Sequence, residues 1–318
     1  MKAVAIRNYG SPEVMNIEEI GQPAVADDEL LVRVRYSSVN PIDWKIRNGS
    51  LRLLVRSRFP MTLGFDIAGE VVDEGRSVRG FKGGDRVLGM LSLGQRGAYA
   101  EYVRTRENNV VMMSGNIDFR EAAAIPLAGL TAYQALHGKG RIRSGQTVLI
   151  NGASGGVGSF AVQIARAAGA SVTAVCGTNN IELVKTLGAE RVIDYRKQDF
   201  TQSPERYDII FDAVGMLSFF KVRRNLTDSG RYVTTLPNVS NIVGFVVIPV
   251  LSLFGYRKKS AFVSVKPDSA DLGRLMLLVK EMKLIPLIDR VFGFEEIREA
   301  HAYSEKGHAR GKIVIRIS

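Results

Sequence analysis

Cysteine is almost missing from this chain. Cys176 is the single one in 318 residues, which excludes an intrachain disulfide framework and a cysteine-rich zinc lobe. It falls in an apolar run that reads as a buried strand, so an inert core thiol is expected. Histidine is scarce too: His137, His301 and His308 lie far apart, and capping or surface roles are expected for each. With no Cys/His cluster, neither a catalytic nor a structural zinc site can be assembled. No Ser/His/Asp arrangement commits the chain to hydrolysis. The opening MKAVAIRNYG begins a strand at once and has no signal-peptide apolar core, so a reducing, cytoplasmic setting is expected. Acids are outnumbered, 32 against 43 Lys and Arg, for a net charge of +11. Such an excess can serve nucleic acid, an anionic membrane or a polyanionic cofactor. The basic residues are scattered and no nucleic-acid motif accompanies them, so the expectation is no nucleic-acid partner and a solvated basic surface with some phosphate contacts.

What the chain does have is a Gly-rich turn in the right surroundings. TVLINGASGGVG (Thr147–Gly158) reads as an apolar strand entering a turn that opens the helix FAVQIARAAGA, followed by a second strand, SVTAVCG. Freed N–H groups at a helix N-terminus, with no side chains in the way, suit a pyrophosphate. The pattern Ala153-x-Gly155-x-x-Gly158 has alanine where the first glycine is usual. The strand–turn–helix–strand context supports dinucleotide binding, with Ala153, Ser154, Gly155, Gly156 and Val157 forming the cradle.

The fold class expected is α/β in two domains. Up to residue 110, short strands (KAVAI, ELLVRVRYSSV, FDIAGEVVDEG, GDRVLGM, GAYAEYVRT) follow closely, as in a β-barrel-like domain. Phe119–Leu136 reads as two helices meeting at a kink near Pro126 and Gly129. From Thr147 to about Val265, strands and helices alternate, which argues for a parallel sheet. Strands are expected at Arg191–Tyr195, Tyr207–Gly215 and Arg231–Leu236, and helices at Asn180–Leu187, around Leu217–Leu226, at Asp268–Met282 and around Phe294–Ser304, before a closing strand GKIVIRI.

SVNPIDWKIRNG, GFDIAGEVVDEG, GDRVLG, GAYAEYV, AAAIPLAGLTAYQAL, VLINGASGGVG, VIDY and GHARGKIVI together span nearly the whole chain. In these runs it resembles the medium-chain dehydrogenase/reductase superfamily, specifically its zinc-independent quinone oxidoreductase branch. The resemblance implies a GroES-like β-barrel catalytic domain (1–125 and 266–318) and a doubly wound Rossmann domain (126–265). Zinc-dependent members hold their catalytic metal with a Cys, a His and a third ligand. Asn40 stands at the Cys position, and Phe65 replaces the His of the GHE motif, here Gly64-Phe65-Asp66. No metal is therefore expected.

The second strand of the nucleotide domain ends Cys176-Gly177-Thr178-Asn179-Asn180, with no acid before Glu182. An acid there would accept from a ribose 2′-OH and repel a 2′-phosphate. NADP(H) is thus favoured over NAD(H), with Gly177, Thr178 and Asn179 lining the phosphate pocket. The resemblance adds Tyr195, Arg310 and Lys312 as phosphate neighbours, Thr131 near the nicotinamide ribose, and Phe262 and Val263 near the nicotinamide. Ala213, Val214 and Gly215 after the fourth strand, and Leu236 with Pro237 after the fifth, sit where parallel sheets bind ligands.

The chemistry implied is hydride transfer to a quinone or an α,β-unsaturated carbonyl. Without zinc, charge developing on the substrate oxygen needs hydrogen-bond donors. Asn40 is the candidate donor, or else a turn residue before Pro41. Asp43 is read as orienting Lys45 or Arg47, relaying a proton, or capping a helix. Trp44 is an aromatic wall for a flat substrate or a core residue. An enoyl-thioester reductase and a dinucleotide-binding structural or regulatory protein at a membrane surface are the alternatives. The latter draws on Tyr232–Tyr256, which carries no charged residue and is followed by Arg257, Lys258 and Lys259. Buried strand, dimer surface and peripheral membrane contact are all readings of that stretch. A homodimer is expected from the resemblance.

Overall fold

A computed structural model describes every residue except Leu54, Arg56, Ser57, Arg96 and 237–254. Most of the charge-free stretch, and Pro237, therefore lie outside the described residues. No helix among the described residues is long and apolar enough to cross a membrane. The chain divides into two compact units: unit 1 is Met1–Leu130, Lys266–Glu281 and Pro286–Ser318, and unit 2 is Thr131–Val265 with Met282–Ile285.

Unit 1 holds two sheets. β1 (Lys2–Ile6) lies between β2 (Asn16–Glu19) and β4 (Met61–Thr62), antiparallel to both. The larger sheet is built on β3 (Glu29–Val39), whose long apolar run is buried over most of its length. It pairs with β5 (Asp66–Glu74) on one side and β16 (Lys312–Arg316) on the other. β6 (Arg86–Met90) and β8 (Val110–Met112) continue beyond β5, and β15 (Ile288–Gly293) beyond β16, while β7 (Tyr102–Arg106) also pairs with β3. The order β15-β16-β3-β5-β6-β8 runs from edge to edge, so a GroES-like unit forms without a closed ring of strands among the described residues. Gly69 is required at the β3–β5 crossing, because a Cβ there would lie 2.0 Å from the Arg33 carbonyl oxygen. α1 (Pro41–Arg47), α2 (Phe119–Ala123), most of α3 (Pro126–Tyr133), and α7 (Ser269–Lys280) and α8 (Ile297–Glu305) complete the unit. β15 escapes sequence reading because IDRVFG has Asp and Arg mid-strand and no clean alternation, as an edge strand permits.

Unit 2 is a six-stranded parallel sheet. β9 (Thr147–Asn151), β10 (Ser171–Cys176), β11 (Arg191–Asp194), β12 (Tyr207–Asp212), β13 (Leu226–Thr234) and β14 (Lys259–Phe262) stand in the order β11-β10-β9-β12-β13-β14. Chain order reverses between β9 and β12, which defines a switch point at the carboxyl ends of those strands. α4 (Gly156–Ala167) buries Phe160, Ala161 and Ile164, and α5 (Ile181–Thr186) crosses from β10 to β11. Beneath, Leu149, Val175, Ile193, Ile210 and Tyr232 share one core with Phe219 and Val222 of α6 (Phe219–Val222). The helix expected at Leu217–Leu226 is this single turn, because β13 begins at Leu226, earlier than its apolar residues suggest. α3 runs on into a wide π-helical turn, Gln134–Gly140.

In unit 2, α4 and the turn beneath it approach closely. A Cβ on Gly158 would lie 2.0 Å from the Gly152 carbonyl oxygen. Gly158→Ala is therefore expected to destabilise the protein by about 1–3 kcal/mol, the usual cost of overpacking a tight contact. Thermal unfolding checks this, and an unchanged midpoint contradicts it.

Candidate active site

In unit 2 the turn after β9 is pinned before it reaches the helix. The N–H groups of Gly152 and Ala153 both donate to the Val175 carbonyl, at 3.1 and 3.0 Å. Gly152 has φ +78°, a region open to glycine, and the side chain of Ala153 is buried. Alanine is thus accommodated at the usual first-glycine position. Gly155 caps α4, and a Cβ on it would meet only the Gly152 oxygen, at 3.5 Å. The approach to the first-turn N–H groups of Gly156 and Val157, which have no partner four residues back, is open. Asn180 donates to Ser154 Oγ at 3.0 Å, while its own buried Oδ1 has no partner among the described residues. An unblocked helix start beside an unpartnered buried amide oxygen fits a dinucleotide diphosphate and ribose.

The expected 2′-phosphate neighbourhood is gathered at the ends of β10 and β11. A Cβ on Gly177 would lie 3.3 Å from Tyr195 Oη, so the tyrosine leans over the glycine. Asn179 is exposed. An acid reaches this corner after all, from the neighbouring strand: Asp194 Oδ2 accepts from Thr178 Oγ1 at 2.5 Å, and Oδ1 from the Arg196 N–H at 3.0 Å. The Thr178 hydrogen bond, aided by Arg196 and Lys197, holds this carboxyl below its usual range. Burial, followed by the Asp194 charge, pushes the Cys176 thiol up to about 11, which keeps it an unreactive thiol.

Asp212 organises the switch point. Its carboxylate accepts from Asn151 Nδ2, from the N–H groups of Val214, Gly215 and Leu217, and from Tyr232 Oη, at 2.7–3.3 Å. That bends Ala213–Gly215 into a turn: a Cβ on Gly215 (φ +80°) would lie 2.6 Å from Leu236 Cβ, and one on Gly152 would lie 2.4 Å from Val214 Cγ2. Val214 and Leu236 are thereby brought beside the cradle. Phe262 ends β14 half-buried, and the Val263 N–H donates to the Thr234 carbonyl at 3.0 Å. Thr131 is buried in α3.

In unit 1 a polar cluster is buried around Asp66. Its carboxylate accepts from Ser38 Oγ at 2.5 Å, Asn40 Nδ2 at 2.8 Å and the Leu127 N–H at 2.7 Å, and Lys312 Nζ lies 3.4 Å away. Lys312 also donates to Asn40 Oδ1. Burial lowers its pKa, opposed by Asp66 and Asp43. The oxygen of the Asn40 amide and one of its two nitrogen-bound hydrogens are therefore engaged in this buried cluster. Lys312, expected beside a 2′-phosphate, instead faces the core of a strand paired on both sides, where Asp66 compensates its charge. Arg310 is exposed in the turn before that strand.

Of the readings for Asp43, helix capping is the one observed: Oδ2 accepts from the Asn40 N–H at 2.8 Å. Burial raises its pKa to about 7, and Oδ1 has no partner among the described residues. Trp44 is part-exposed, but its Nε1 is buried and without a partner among the described residues. His301 is not a surface residue. It is 0% exposed, with Nδ1 3.2 Å from Arg47 Nη1 and Nε2 3.3 Å from Tyr99 Oη. Arginine only donates, so Nδ1 accepts and the imidazole carries its proton on Nε2. Arg47 is fully buried too, bonded to Glu305 and to the Gly10 carbonyl. His137 stacks on Tyr133, and His308 is exposed.

Residues 26–115 match the alcohol dehydrogenase GroES-like domain and 187–315 the zinc-binding dehydrogenase domain. A chloroplastic quinone-oxidoreductase homolog of Spinacia oleracea is 35% identical, over 99% of this chain and 98% of its own. The quinone oxidoreductase of Coxiella burnetii has a structure that superposes with a TM-score of 0.90 at 32% identity, covering 100% and 99% of the two chains. The chain belongs to the medium-chain dehydrogenase/reductase superfamily, in its quinone oxidoreductase branch. It is an oxidoreductase. A further relative, 34% identical over 99% of this chain and 79% of its own, is the chloroplastic NADPH-dependent alkenal/one oxidoreductase of Arabidopsis thaliana.

Within this family, the two positions that hold zinc ligands in metal-dependent members are differently employed here. Phe65 is core, at 1% exposure, and Asn40 is bound to an ammonium. No group of three or more His, Cys, Asp or Glu residues able to hold a metal is present among the described residues.

Removing that ammonium leaves Asp66 a buried anion without its cation. Lys312→Met is expected to cost about 3–5 kcal/mol, read by denaturant unfolding, and wild-type stability contradicts it. His301 adds a pH dependence. Burial and then Arg47 lower its pKa to about 3, against about 6.5 unfolded. The unfolded state takes up the proton first, so this contribution is complete above pH ~6.5 and lost as pH falls towards 3, with a slope of at most about 1.4 kcal/mol per pH unit. His301→Gln should flatten that slope in unfolding measured from pH 7 to 4. An identical slope contradicts it.

Proposed function

We propose that the protein is an NADPH-dependent, zinc-independent reductase of quinones or α,β-unsaturated carbonyls. The observation that carries this reading is the open helix start at Gly155–Val157 on a chain whose metal-ligand positions are Asn40 and Phe65. When bound, NADPH supplies the hydride.

The chain's own residues bind and orient. The N–H groups of Gly156 and Val157 neutralise the diphosphate at the start of α4, and Asn180 offers its unpartnered amide oxygen to a ribose hydroxyl. Tyr195 and Thr178 would face a bound 2′-phosphate, and Arg196 and Lys197, basic neighbours of Asp194, would offset that carboxylate in favour of a phosphate. This supports NADP(H) in spite of the acid. With the Asn40 amide tied to Asp66 and Lys312, the Trp44 indole N–H, which has no partner among the described residues, is the donor we assign to the acceptor's oxygen.

The test is NADPH consumption across a panel of quinones, enones and enals. Turnover with at least one is expected, and none with any would sink the proposal. Trp44→Phe should lower kcat by roughly tenfold or more while NADPH affinity stays unchanged. Gly155→Asp puts a carboxylate into open space, where the fold tolerates it but a diphosphate does not. NADPH affinity is expected to fall roughly a hundredfold or more, and retained affinity in a calorimetric titration would show that the diphosphate lies elsewhere.

A further inference from the structure

The basic excess of this chain is not spread evenly over unit 2. Arg206 immediately precedes β12, Arg223 and Arg224 shortly precede β13, and Lys258 immediately precedes β14. In a parallel sheet the strand starts share one edge, and these four residues converge there on a groove of about 630 Å³. No Asp or Glu is among its described lining residues. Arg206 has one acidic partner, Asp228, at 3.7 Å, itself 88% exposed.

The groove is built rather than incidental. Asn225, buried in the turn after Arg224, donates to the carbonyls of Phe200, Ser203 and Glu205, which fixes the 200–205 loop as one wall. Lys258 Nζ donates to the Arg223 carbonyl at 2.8 Å, tying the cations together across the groove. Tyr256 closes it with a ring packed edge-on against Phe219. Burial, and then the charges of Arg206 and Arg223, lower the pKa of Lys258, opposed by Asp228.

We infer that this groove is a second anion site, separate from the dinucleotide cradle, for a ligand bearing two or more closely spaced phosphate groups. Guanidinium forks match phosphate oxygens two at a time, and four cations exceed what a single phosphate neutralises. The cradle lies at the carboxyl ends of the same strands. β12 alone has six residues, or about 20 Å at the rise of a strand, so a dinucleotide in the cradle does not extend to the groove. At that separation the two sites are screened from each other at physiological salt.

Calorimetry with inorganic pyrophosphate, with and without saturating NADPH, tests this, alongside co-sedimentation with cardiolipin vesicles, whose headgroup carries two phosphates. The expected result is one pyrophosphate per chain in the presence of NADPH, bound at least tenfold more weakly by R223Q/R224Q, whose NADPH affinity and melting temperature match wild type. If vesicles pellet the protein, lose it in R223Q/R224Q and release it to pyrophosphate, the site stands with a lipid headgroup as its phosphate source. Pyrophosphate binding that is lost on adding NADPH, unaffected by R223Q/R224Q, or absent along with Arg-dependent vesicle binding, would overturn it.

Discussion

The buried carboxylate of Asp66 is the interaction on which unit 1 depends. It joins β3 through Ser38, the start of α1 through Asn40, the start of α3 through the Leu127 N–H, and β16 through Lys312. A buried anion is tolerated only when its oxygens are satisfied and a cation is near. Each of those four segments is therefore held in register by one charge. Of the two positions matching zinc ligands elsewhere in the superfamily, Asn40 is bonded here to an internal ion pair and Phe65 is core. Arg47, His301 and Tyr99 extend the polar interior, and the tautomer of the imidazole is fixed by the arginine beside it.

Unit 2 is held by the same logic, with turns in place of strands. Asp212 gathers three N–H groups after β12, and Asp194 gathers Thr178 and the Arg196 N–H after β11. Both acids stand at carboxyl ends of parallel strands, where a dinucleotide is bound, and both are spent on shaping backbone. The phosphate-facing elements left open are N–H groups and exposed side chains, which suits a highly charged cofactor. The opposite edge of the sheet carries Arg206, Arg223, Arg224 and Lys258, with Asp228 beside Arg206.

Much of this was legible in the sequence. Strand alternation in ELLVRVRYSSV, the Gly-rich turn and the βα rhythm from Thr147 follow from local periodicity and turn chemistry, so unit 2 and most of unit 1 could be drawn from them. β14 and β15 could not, since KSAF and IDRVFG are short, half-exposed and interrupted by charge. The cradle was legible because glycine is demanded by close backbone approach. The buried contacts of Asn40, Lys312 and His301 were not legible for a common reason: their partners are 26 to 272 residues away, and no local pattern announces them. A strand-end Asp in VIDY gave one available signal for Asp194, and an orphaned amide such as Asn180 appears only in three dimensions.

The proposal that hydride transfer here needs no zinc rests on Asn40, at the Cys-matching position, being tied into the Asp66–Lys312 cluster, and on Phe65 lying in the core. Reductase activity of the chelator-dialysed protein, with zinc content determined on the same sample, tests it most directly. The account predicts an undiminished rate of NADPH-dependent enone or quinone reduction at less than a tenth of a zinc per chain, a threshold chosen for the assay. Activity that falls on dialysis and returns with added zinc would contradict it.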